Sequence, residues 1–239
     1  MSLFVIGDTH LSLSVDKPMD IFRGWTDYID RIQNNWNKVV TPEDSVIIPG
    51  DISWAMNFKE AVKDFSFLNA LNGTKYILKG NHDYWWNTMS KMNKFLAENE
   101  FDTIKIIHNN AYSVEGFSVA GSRGWFYDDT AEADKKVILR EAGRLRMSLQ
   151  EASKLGGELI AFLHYPPISA TQECEEILSV LKEFPVKRCY FGHLHGFIAP
   201  ENAKIKWEGI EFNLASSDYL GFVPRLIAHT EEENQSNLI

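Results

Sequence analysis

The sequence predicts a single layered α/β domain. Short apolar runs rich in β-branched residues alternate along the chain with segments whose apolar residues recur at helical spacing. No internal repeat and no low-complexity linker divides the 239 residues. We therefore expect one domain over residues 1–239, with a polar tail that frays from about residue 230.

The first half of the chain alternates between predicted strands and predicted helices. Strands are expected at residues 3–7, 45–50 and 75–80, and helices at residues 20–40, 58–71 and 87–99. The inward face of the first helix is expected to carry Ile21, Trp25, Tyr28, Ile29, Ile32 and Trp36. The inward face of the second is expected to carry Ala61, Val62, Phe65, Leu68 and Leu71, and Gly73 ends that helix.

The second half of the chain departs from this alternation and then returns to it. Residues 103–122 predict consecutive short strands, with turns at Asn109–Asn110 and Glu115–Gly116. A long charged helix is expected over residues 130–154, ended by Gly156 and Gly157. The segments that follow are a strand at 158–164, a helix at 172–184, a strand at 187–191, and two or three strands within 205–214 and 224–229.

The composition argues against several classes of function. The net charge is −9 and no block of Lys and Arg occurs, so we expect no stable nucleic-acid partner and no membrane partner. Cys174 and Cys189 lie in apolar periodic segments and are expected to be buried thiols. The first strand begins at Leu3 and leaves no room for a signal peptide, so a cytoplasmic location is expected.

Polar side chains with metal-binding potential follow five of the predicted strands. The first strand is followed by Asp8 and His10, and the second by Asp51. The other three strand ends carry Asn81, His82 and Asp83; His164; and His193 and His195. Alone, the Asn81–Asp83 stretch could be a simple turn, because glycine and asparagine favour turns and aspartate caps helices. If the strands run parallel, however, all five ends lie at one cleft, where ligands of open α/β sheets bind.

The donor atoms in this cleft suit two metal ions better than one. Two carboxylates, one amide oxygen and four imidazoles are too many ligands for a single ion that takes about four. A shared carboxylate would complete two sets of four, and two metals ~3.5–4 Å apart form a site suited to in-line phosphoryl displacement. The mixture of nitrogen and oxygen donors favours Mn, Fe, Zn or Co.

The motifs GDTH (7–10), GDIS (50–53), GNHD (80–83) and GHLH (192–195), with a lone His164 after a strand, resemble the calcineurin-like metallophosphoesterase superfamily. The resemblance implies a four-layer α/β/β/α sandwich of two mixed sheets. It implies that Asp8, His10 and His195 hold one metal and that Asn81, His164 and His193 hold the second. Asp51 would bridge the two metals together with a water or hydroxide.

The same resemblance implies a catalytic pair beside the metals. His82 is the one imidazole of these motifs without a metal, and it would protonate the leaving-group oxygen or stabilise its charge. Asp83 would accept a hydrogen bond from the His82 ring and support its protonated form. Attack by the bridging hydroxide on a small phosphomonoester or phosphodiester is the expected reaction.

Departures from the motif patterns of this superfamily narrow the range of expected substrates. Protein Ser/Thr phosphatases and dinucleoside tetraphosphatases of the superfamily carry an arginine after the second motif and GNHE as the third, and this chain has neither. Aromatic residues follow three strand ends, at Trp54, at Tyr84–Trp86 and at Trp125, and Arg123 lies beside the last. We expect Arg123, Trp54 and Trp125 to contact the substrate, which favours a planar or apolar leaving group such as that of a nucleotide or aryl ester.

Other interpretations of the sequence remain open at this stage. The chain could be a scaffold that keeps the fold and binds a protein partner without turnover, or it could be a nuclease. Three arginines of the long helix, Arg140, Arg144 and Arg146, are expected to form a solvated face paired with acidic residues. His108 and His229 match no ligand motif and are expected to be ordinary surface or core histidines.

Overall fold

The computed structural model describes residues 1–125, 132–196 and 198–229. Its strands are β1 (Ser2–Val5), β2 (Ser45–Ile48), β3 (Thr74–Ile77), β4 (Ile104–Ile106), β5 (Ala111–Val114), β6 (Phe117–Ser122), β7 (Glu158–Leu163), β8 (Arg188–Phe191), β9 (Lys204–Trp207), β10 (Ile210–Leu214) and β11 (Arg225–His229). Its helices are α1 (Tyr28–Val39), α2 (Phe58–Ala70), α3 (Met89–Glu98), α4 (Glu132–Ala152), α5 (Glu175–Lys182) and α6 (Pro200–Ala203), with a short 3-10 helix at Met19–Ile21.

The strands form two mixed sheets. The first has the order β11-β1-β2-β3-β4, with β1 to β4 parallel and β11 antiparallel to β1. The second has the order β5-β6-β7-β8-β10-β9, with four parallel central strands and antiparallel strands at both edges. Helices flank the sheets, so the predicted α/β fold and its two mixed sheets are confirmed.

Three apolar clusters account for the four layers. Along β1, side chains alternate between two faces, as strand geometry requires. Leu3 and Val5 face the second sheet, in a cluster that includes Ile160 and Phe162 of β7. Phe4 belongs instead to the cluster that the first sheet shares with α1, α2 and α3. A third cluster joins the outer face of the second sheet to α4 and α5.

The first predicted helix is wrong in its N-terminal third. The helix begins at Tyr28 rather than near residue 20, and the expected inward residue Ile21 is 75% exposed. Gly24 and Asp27 adopt left-handed backbone angles, with φ of +92° and 54°, which no right-handed helix can include. Trp25 is buried nonetheless, because the loop before α1 folds back over the same core.

The remaining elements agree with prediction to within a few residues. Asn109, Glu115 and Gly116 have positive φ, as the predicted turns require. The strands of residues 103–122 divide between the sheets: β4 joins the first, and the β5–β6 hairpin joins the second. The short helix α6 was not predicted. The expected start of α4 at residue 130 and the tail from residue 230 lie outside the described residues.

Two further features of the molecule are the state of its cysteines and the hydrophobicity of its helices. Cys174 and Cys189 are free thiols, and both are buried as predicted. No helix in the described part of the chain combines the length and the hydrophobicity that crossing a bilayer requires.

Candidate metal centre

The carboxyl ends of β1, β2, β3, β7 and β8 meet at one edge of the two sheets. The loops that follow these strands bind one another directly: the amide of Asp8 donates to the Gly50 carbonyl at 3.0 Å, and that of His10 donates to the Asp51 carbonyl at 3.0 Å. Asp8, His10, Asp51 and His193 all have positive φ. Such strained backbone in non-glycine residues is uncommon and is concentrated at functional sites.

Two groups of metal-ligating residues result from this convergence. Asp8, His10 and His195 each offer a donor atom within 4.8 Å of the others. Asp51, His164 and His193 form a second group with the same property. The Asn81 side-chain oxygen lies 2.6 Å from Nε2 of His164 and 2.9 Å from Nδ1 of His193, so this amide joins the second group.

Asp51 lies between the two groups. Its Oδ2 atom is 3.7 Å from Nε2 of His10 in the first group and 3.5 Å from Nε2 of His164 in the second. Its Oδ1 atom accepts a hydrogen bond from the His82 amide at 2.8 Å. One carboxylate therefore faces imidazoles of both groups while the backbone of the GNHD loop holds its other oxygen.

Hydrogen bonds to the backbone and to an acid orient two of the imidazoles. Nδ1 of His164 donates to the Pro49 carbonyl at 3.1 Å, which leaves Nε2 as the free donor atom for a metal. Nδ1 of His195 lies 2.9 Å from the Asp218 carboxylate, which also accepts from the Gly196 amide. Sequence reasoning missed Asp218, although it follows the end of β10, a strand parallel to β8 and adjacent to it.

The acids of the site are crowded and desolvated. Burial raises the pKa of Asp51 to about 9, with the charges of Asp83 and Asp8 adding to the effect. Burial also raises the pKa of Asp8 to about 6, against the opposing charge of His195. Buried carboxylates of this kind are stable as anions only near compensating positive charge.

The imidazoles are held neutral, with one exception. Burial and the neighbouring histidines hold the pKa values of His10 and His164 well below the usual range and lower that of His193 to about 4. For His195, burial lowers the pKa, but the Asp218 hydrogen bond and the Asp8 charge outweigh it and raise the pKa overall. Neutral imidazole is the form that ligates metals.

His82 lies beside the ligand cluster and is half-buried. Its ring centroid is 4.3 Å from that of Trp54 and 5.7 Å from that of His10. Its Nδ1 atom is buried without a hydrogen-bond partner among the described residues. Burial, followed by the charge of His195, lowers the pKa of His82, so its protonated form would be a stronger acid than free imidazole.

The expected hydrogen bond between Asp83 and the His82 ring is wrong. Asp83 is fully buried, and its carboxylate accepts from the amides of Ile52 at 2.9 Å and Gly80 at 2.7 Å, and from the indole of Trp85 at 3.0 Å. None of its hydrogen bonds reaches the His82 ring. Since consecutive side chains of the loop diverge, Asp83 ties the loops that carry Asp51 and Asn81 together instead.

The predicted substrate-contacting residues lie on two sides of the cluster. Trp54 stacks on His10 with a centroid distance of 5.2 Å and also touches His82. Trp125 contacts Tyr165 at 5.3 Å, and the ring of Tyr165 lies 4.4 Å from that of His193. Arg123 places its guanidinium 4.6 Å from the Trp125 ring centroid. Tyr165 was not anticipated, because its position in FLHYPP suggests only a turn.

The other aromatic residues that follow the GNHD motif behave differently. Trp85 is 2% exposed and packs edge-on against Phe65 of α2, so it belongs to the core. Trp86 packs against Trp85 at 5.3 Å, which agrees with a packing role. Tyr84 is 54% exposed, and its ring lies 6.2 Å from that of His82.

Residues 1–197 match the family model of the calcineurin-like phosphoesterases. The chain belongs to this family. The match spans every residue of the two metal-ligating groups but ends before Asp218. The carboxylate that orients His195 in this calcineurin-like phosphoesterase therefore lies in the C-terminal segment beyond the match.

Solved structures share the fold at low sequence identity. A protein of unknown function from Aquifex aeolicus is 19% identical, with a TM-score of 0.52 over 94% of this chain and 95% of that one. Phosphopantetheinyl hydrolase from Mycobacterium tuberculosis is 12% identical, with a TM-score of 0.53 over 96% of both chains. TT1561 of Thermus thermophilus is 11% identical, with a TM-score of 0.59 over 89% of this chain and 87% of that one. We found no match among curated proteins.

The donor set of this calcineurin-like phosphoesterase fits metal ions. Nδ1 of His164 carries the proton given to Pro49, so its Nε2 lone pair and the Asn81 oxygen face each other at 2.6 Å. Two acceptors at this distance repel unless a positive charge lies beside them. Two carboxylates with raised pKa values in the same cluster have the same requirement. The chemistry of these donor atoms is thus consistent with bound metal ions. The combination of nitrogen and oxygen donors favours a transition metal.

Proposed function

We propose that this protein is a metal-dependent phosphoesterase that hydrolyses a small phosphomonoester or phosphodiester. The observation that carries the proposal is the place of Asp51, whose Oδ2 atom lies within 3.7 Å of ring nitrogens from both groups of ligands. A carboxylate shared in this way is the arrangement that two adjacent cations require. Membership of the calcineurin-like phosphoesterase family supports the same reaction class.

Seven side chains would hold two divalent transition metal ions, with Mn, Fe, Zn and Co as the candidates. Asp8, His10 and His195 would hold the first, and Asn81, His164 and His193 the second, with Asp51 common to both. When bound, the two cations would lower the pKa of a coordinated water and neutralise charge on the phosphate. Asp218 and Pro49 would hold the His195 and His164 rings in the tautomers that this binding needs.

His82 is our candidate for the group that assists the leaving oxygen. It is the imidazole nearest the cluster that belongs to neither group of ligands, and its ring is half-buried beside Trp54. Its lowered pKa favours proton transfer toward the departing oxygen. Asp83 would act on catalysis through the loop geometry that it fixes rather than through the His82 ring.

An apolar cleft beside Trp54 supports an apolar or planar leaving group. The cleft has a volume of about 260 Å³ and is lined by Met19, Ile21, Phe22 and Trp54 among others. Ile21 and Phe22 are 75% and 53% exposed, so a bound ring would cover apolar surface that now meets water. Because Trp54 also touches His82, a leaving group in this cleft would lie close to its proton donor.

Metal analysis with a matched pair of variants tests the reaction class. We expect about two transition-metal equivalents in the parent and fewer in Asp51→Asn, because two cations without a negative bridge repel each other. Asp44→Asn is the control: Asp44 is a buried acid at the other end of β2, bound by Thr41 and Ser2. A stoichiometry of one that excess Mn²⁺ does not change would contradict the two-metal site.

Turnover assays distinguish a phosphoesterase from the two alternatives, a catalytically silent scaffold and a nuclease. Metal-loaded protein should hydrolyse p-nitrophenyl esters and nucleotides. Trp54→Ala and Trp125→Ala should each raise KM for such esters with unchanged metal content, while the remote Trp207→Ala should not. Bound metals without turnover on any monoester or diester would favour a scaffold, and cleavage of polynucleotides alone would favour a nuclease.

A further inference from the structure

A second cluster of charged residues lies beside the metal centre, between the ends of β3 and β6. Lys79 follows β3, Arg123 follows β6, and Arg144 extends from α4 into the same small pocket, where Glu141 also lies. None of these residues belongs to either group of metal ligands. The enclosed space is about 10 Å³, so a ligand larger than water would bind at its mouth, beside the partly exposed Lys79 and Arg144.

Positive charge in this pocket exceeds negative charge. Glu141 pairs with Arg144 at 2.8 Å and with Arg123 at 3.4 Å through the same oxygen, Oε1. Lys79 makes no ion pair with any described residue. Three basic side chains and one carboxylate therefore line the pocket. Burial and the charge of Arg123 lower the pKa of Lys79, and the charges of Asp83 and Glu141 oppose that shift. Burial, assisted by the charges of Arg144 and Lys79, lowers the pKa of His108 at the pocket wall, so this imidazole does not add a charge of its own.

Polar atoms of the pocket lack partners. Nε of Arg123 and Oε2 of Glu141 are both buried without a hydrogen bond to any described residue, and the Glu141 side chain is 2% exposed. Leaving a buried polar atom unpaired is energetically costly, so such atoms in native proteins ordinarily meet water or a ligand. The enclosed space has the size of one water molecule, which would accept from Nε of Arg123 and donate to Oε2 of Glu141. A phosphate at the mouth would therefore meet Lys79 and Arg144 directly.

The pocket adjoins the candidate metal centre through two segments. The Arg123 carbonyl accepts from the amides of His164 and Tyr165 at 3.1 and 2.9 Å, so the arginine is fixed to a metal-ligand loop. Lys79 precedes Gly80, where an added Cβ would collide with Oδ1 of Asp51. A substrate whose scissile phosphate lies at the metals could therefore extend a second anionic group toward Lys79 and Arg144.

We propose that the pocket formed by Lys79, Arg123, Arg144 and Glu141 binds a second phosphate group, so that the preferred substrate carries an anionic group besides the phosphoester that is cleaved. This inference rests on the proposed function for its catalytic meaning. The excess positive charge of the pocket, with Lys79 and Arg144 partly exposed at its mouth, supports a phosphate rather than a neutral group. Nucleoside diphosphates and sugar bisphosphates belong to this substrate class.

Binding of inorganic pyrophosphate to metal-free protein tests the pocket without any need for turnover. By calorimetry, Lys79→Gln and Arg144→Gln should each weaken binding about tenfold, the worth of one charge-assisted contact. Lys79→Gln breaks no ion pair with a described residue, so a loss of pyrophosphate affinity with an unchanged unfolding midpoint would reflect the lost charge rather than a lost ion pair. Glu141→Gln, which removes the one negative charge, should change affinity in the opposite direction.

Arg140→Gln is the matched control, because Arg140 is an exposed arginine one turn earlier on the same helix. If Arg140→Gln weakened pyrophosphate binding equally, or if the parent did not bind pyrophosphate, the proposed anion-binding role of the pocket would be wrong. With metal-loaded protein, Lys79→Gln should raise KM for a nucleoside diphosphate more than KM for p-nitrophenyl phosphate. If no ester is hydrolysed but pyrophosphate binding follows the variants as described, the proposed function fails and the anion site stands.

Discussion

At the scale of single residues, the chemistry of the site depends most on Asp51. Its carboxylate faces imidazoles of both ligand groups, and its pKa of about 9 reflects burial first and the charges of Asp83 and Asp8 second. Without metal, the side chain is therefore protonated at neutral pH. Metal ions would have to displace that proton, so metal affinity should rise with pH up to about 9.

The pH dependence of stability provides a test of this environment. The pKa of Asp51 is 3.8 when unfolded and about 9 when folded, so the folded state binds an extra proton between these values. This contribution to stability is present below about pH 4 and is lost as pH rises toward 9. Lys75, whose pKa burial lowers to about 7, acts in the opposite direction above neutrality, so the parent alone is not informative.

The informative quantity is the difference between the metal-free parent and metal-free Asp51→Asn. We expect the free energy of unfolding of Asp51→Asn, relative to the parent, to increase steadily from about pH 4 to about pH 9. Urea titrations at several pH values across this range would measure it. A difference that stays constant over this range would mean that Asp51 is not desolvated as described.

His82 allows a second prediction at this scale. His82→Ala should retain both metals but lose turnover by roughly 10²–10⁴-fold, the usual worth of a positioned acid. The loss should be smaller for p-nitrophenyl esters than for alkyl esters, because nitrophenolate leaves without protonation. His229→Ala, at an exposed histidine of β11, should leave turnover unchanged. An equal loss of turnover on alkyl and p-nitrophenyl esters would contradict the proposal that His82 acts as the general acid.

At the scale of elements, the loops that follow the strands can bring the metal-ligating side chains together because their glycines let these loops pack closely against one another. Gly50 and Gly80 approach so nearly that a Cβ on Gly50 would lie 2.7 Å from the Gly80 Cα atom. A Cβ on Gly192, after β8, would collide with Oδ2 of Asp8. These contacts join loops from both sheets, so the geometry of one loop fixes the next.

Gly192→Ala should therefore damage the site rather than the fold alone. We expect it to lower metal content, chiefly in the group formed by Asp8, His10 and His195, because the new methyl group would displace Asp8. Gly143→Ala is the matched control: Gly143 lies in α4, and a Cβ added there would meet nothing within 4 Å. That change should raise stability by about 0.5–1 kcal/mol, the difference between glycine and alanine in a helix. Metal content in Gly192→Ala equal to the parent's would contradict the close approach.

Lys75 shows how a nearby side chain can satisfy the end of a helix. Its ammonium donates to the Leu71 carbonyl at 2.6 Å and the Gly73 carbonyl at 2.8 Å, just past the end of α2. These carbonyls would otherwise be unpaired, as is usual at a helix C-terminus. A lysine in a buried strand thus satisfies the turn that connects α2 to β3.

At the scale of the whole molecule, the candidate site requires both sheets. The first sheet supplies Asp8, His10, Asp51 and Asn81 through its strand ends, and the second supplies His164, His193 and His195. The apolar cluster between the sheets includes Leu3, Ile47 and Leu78 from one and Phe162 and Tyr190 from the other. Neither sheet alone could assemble the ligands.

We expect the chain to unfold in one cooperative transition that metal shifts upward. Circular dichroism and tryptophan fluorescence should give the same midpoint, because the sheets share one buried cluster and Trp36 and Trp207 report on different helical layers. Mn²⁺ should raise that midpoint for the parent and raise it less for Asp51→Asn. Two separate transitions would show that the sheets fold independently and would contradict the single domain expected from the sequence.

Local patterns of residues were sufficient to predict the element order, the polar residues after the strands, and the motifs that led to the family. Strand periodicity, helix periodicity and the residue types at each strand end are all properties of short segments, so they can be read without the fold. Asp8, His10, Asp51, Asn81, His164, His193 and His195 come together as the motifs predicted. The position of Trp54, three residues after Asp51, was likewise enough to predict that it lies beside this cluster.

The contacts between side chains, in contrast, depended on tertiary packing. Asp83 turns away from His82 and onto backbone amides, since neighbouring residues of a tight loop point in different directions. Asp218 reaches His195 across 23 residues of sequence, and Lys79, Arg123 and Arg144 come from three elements into one pocket. Long-range contacts of this kind are set by how sheets and helices pack, and no local pattern of residues encodes them.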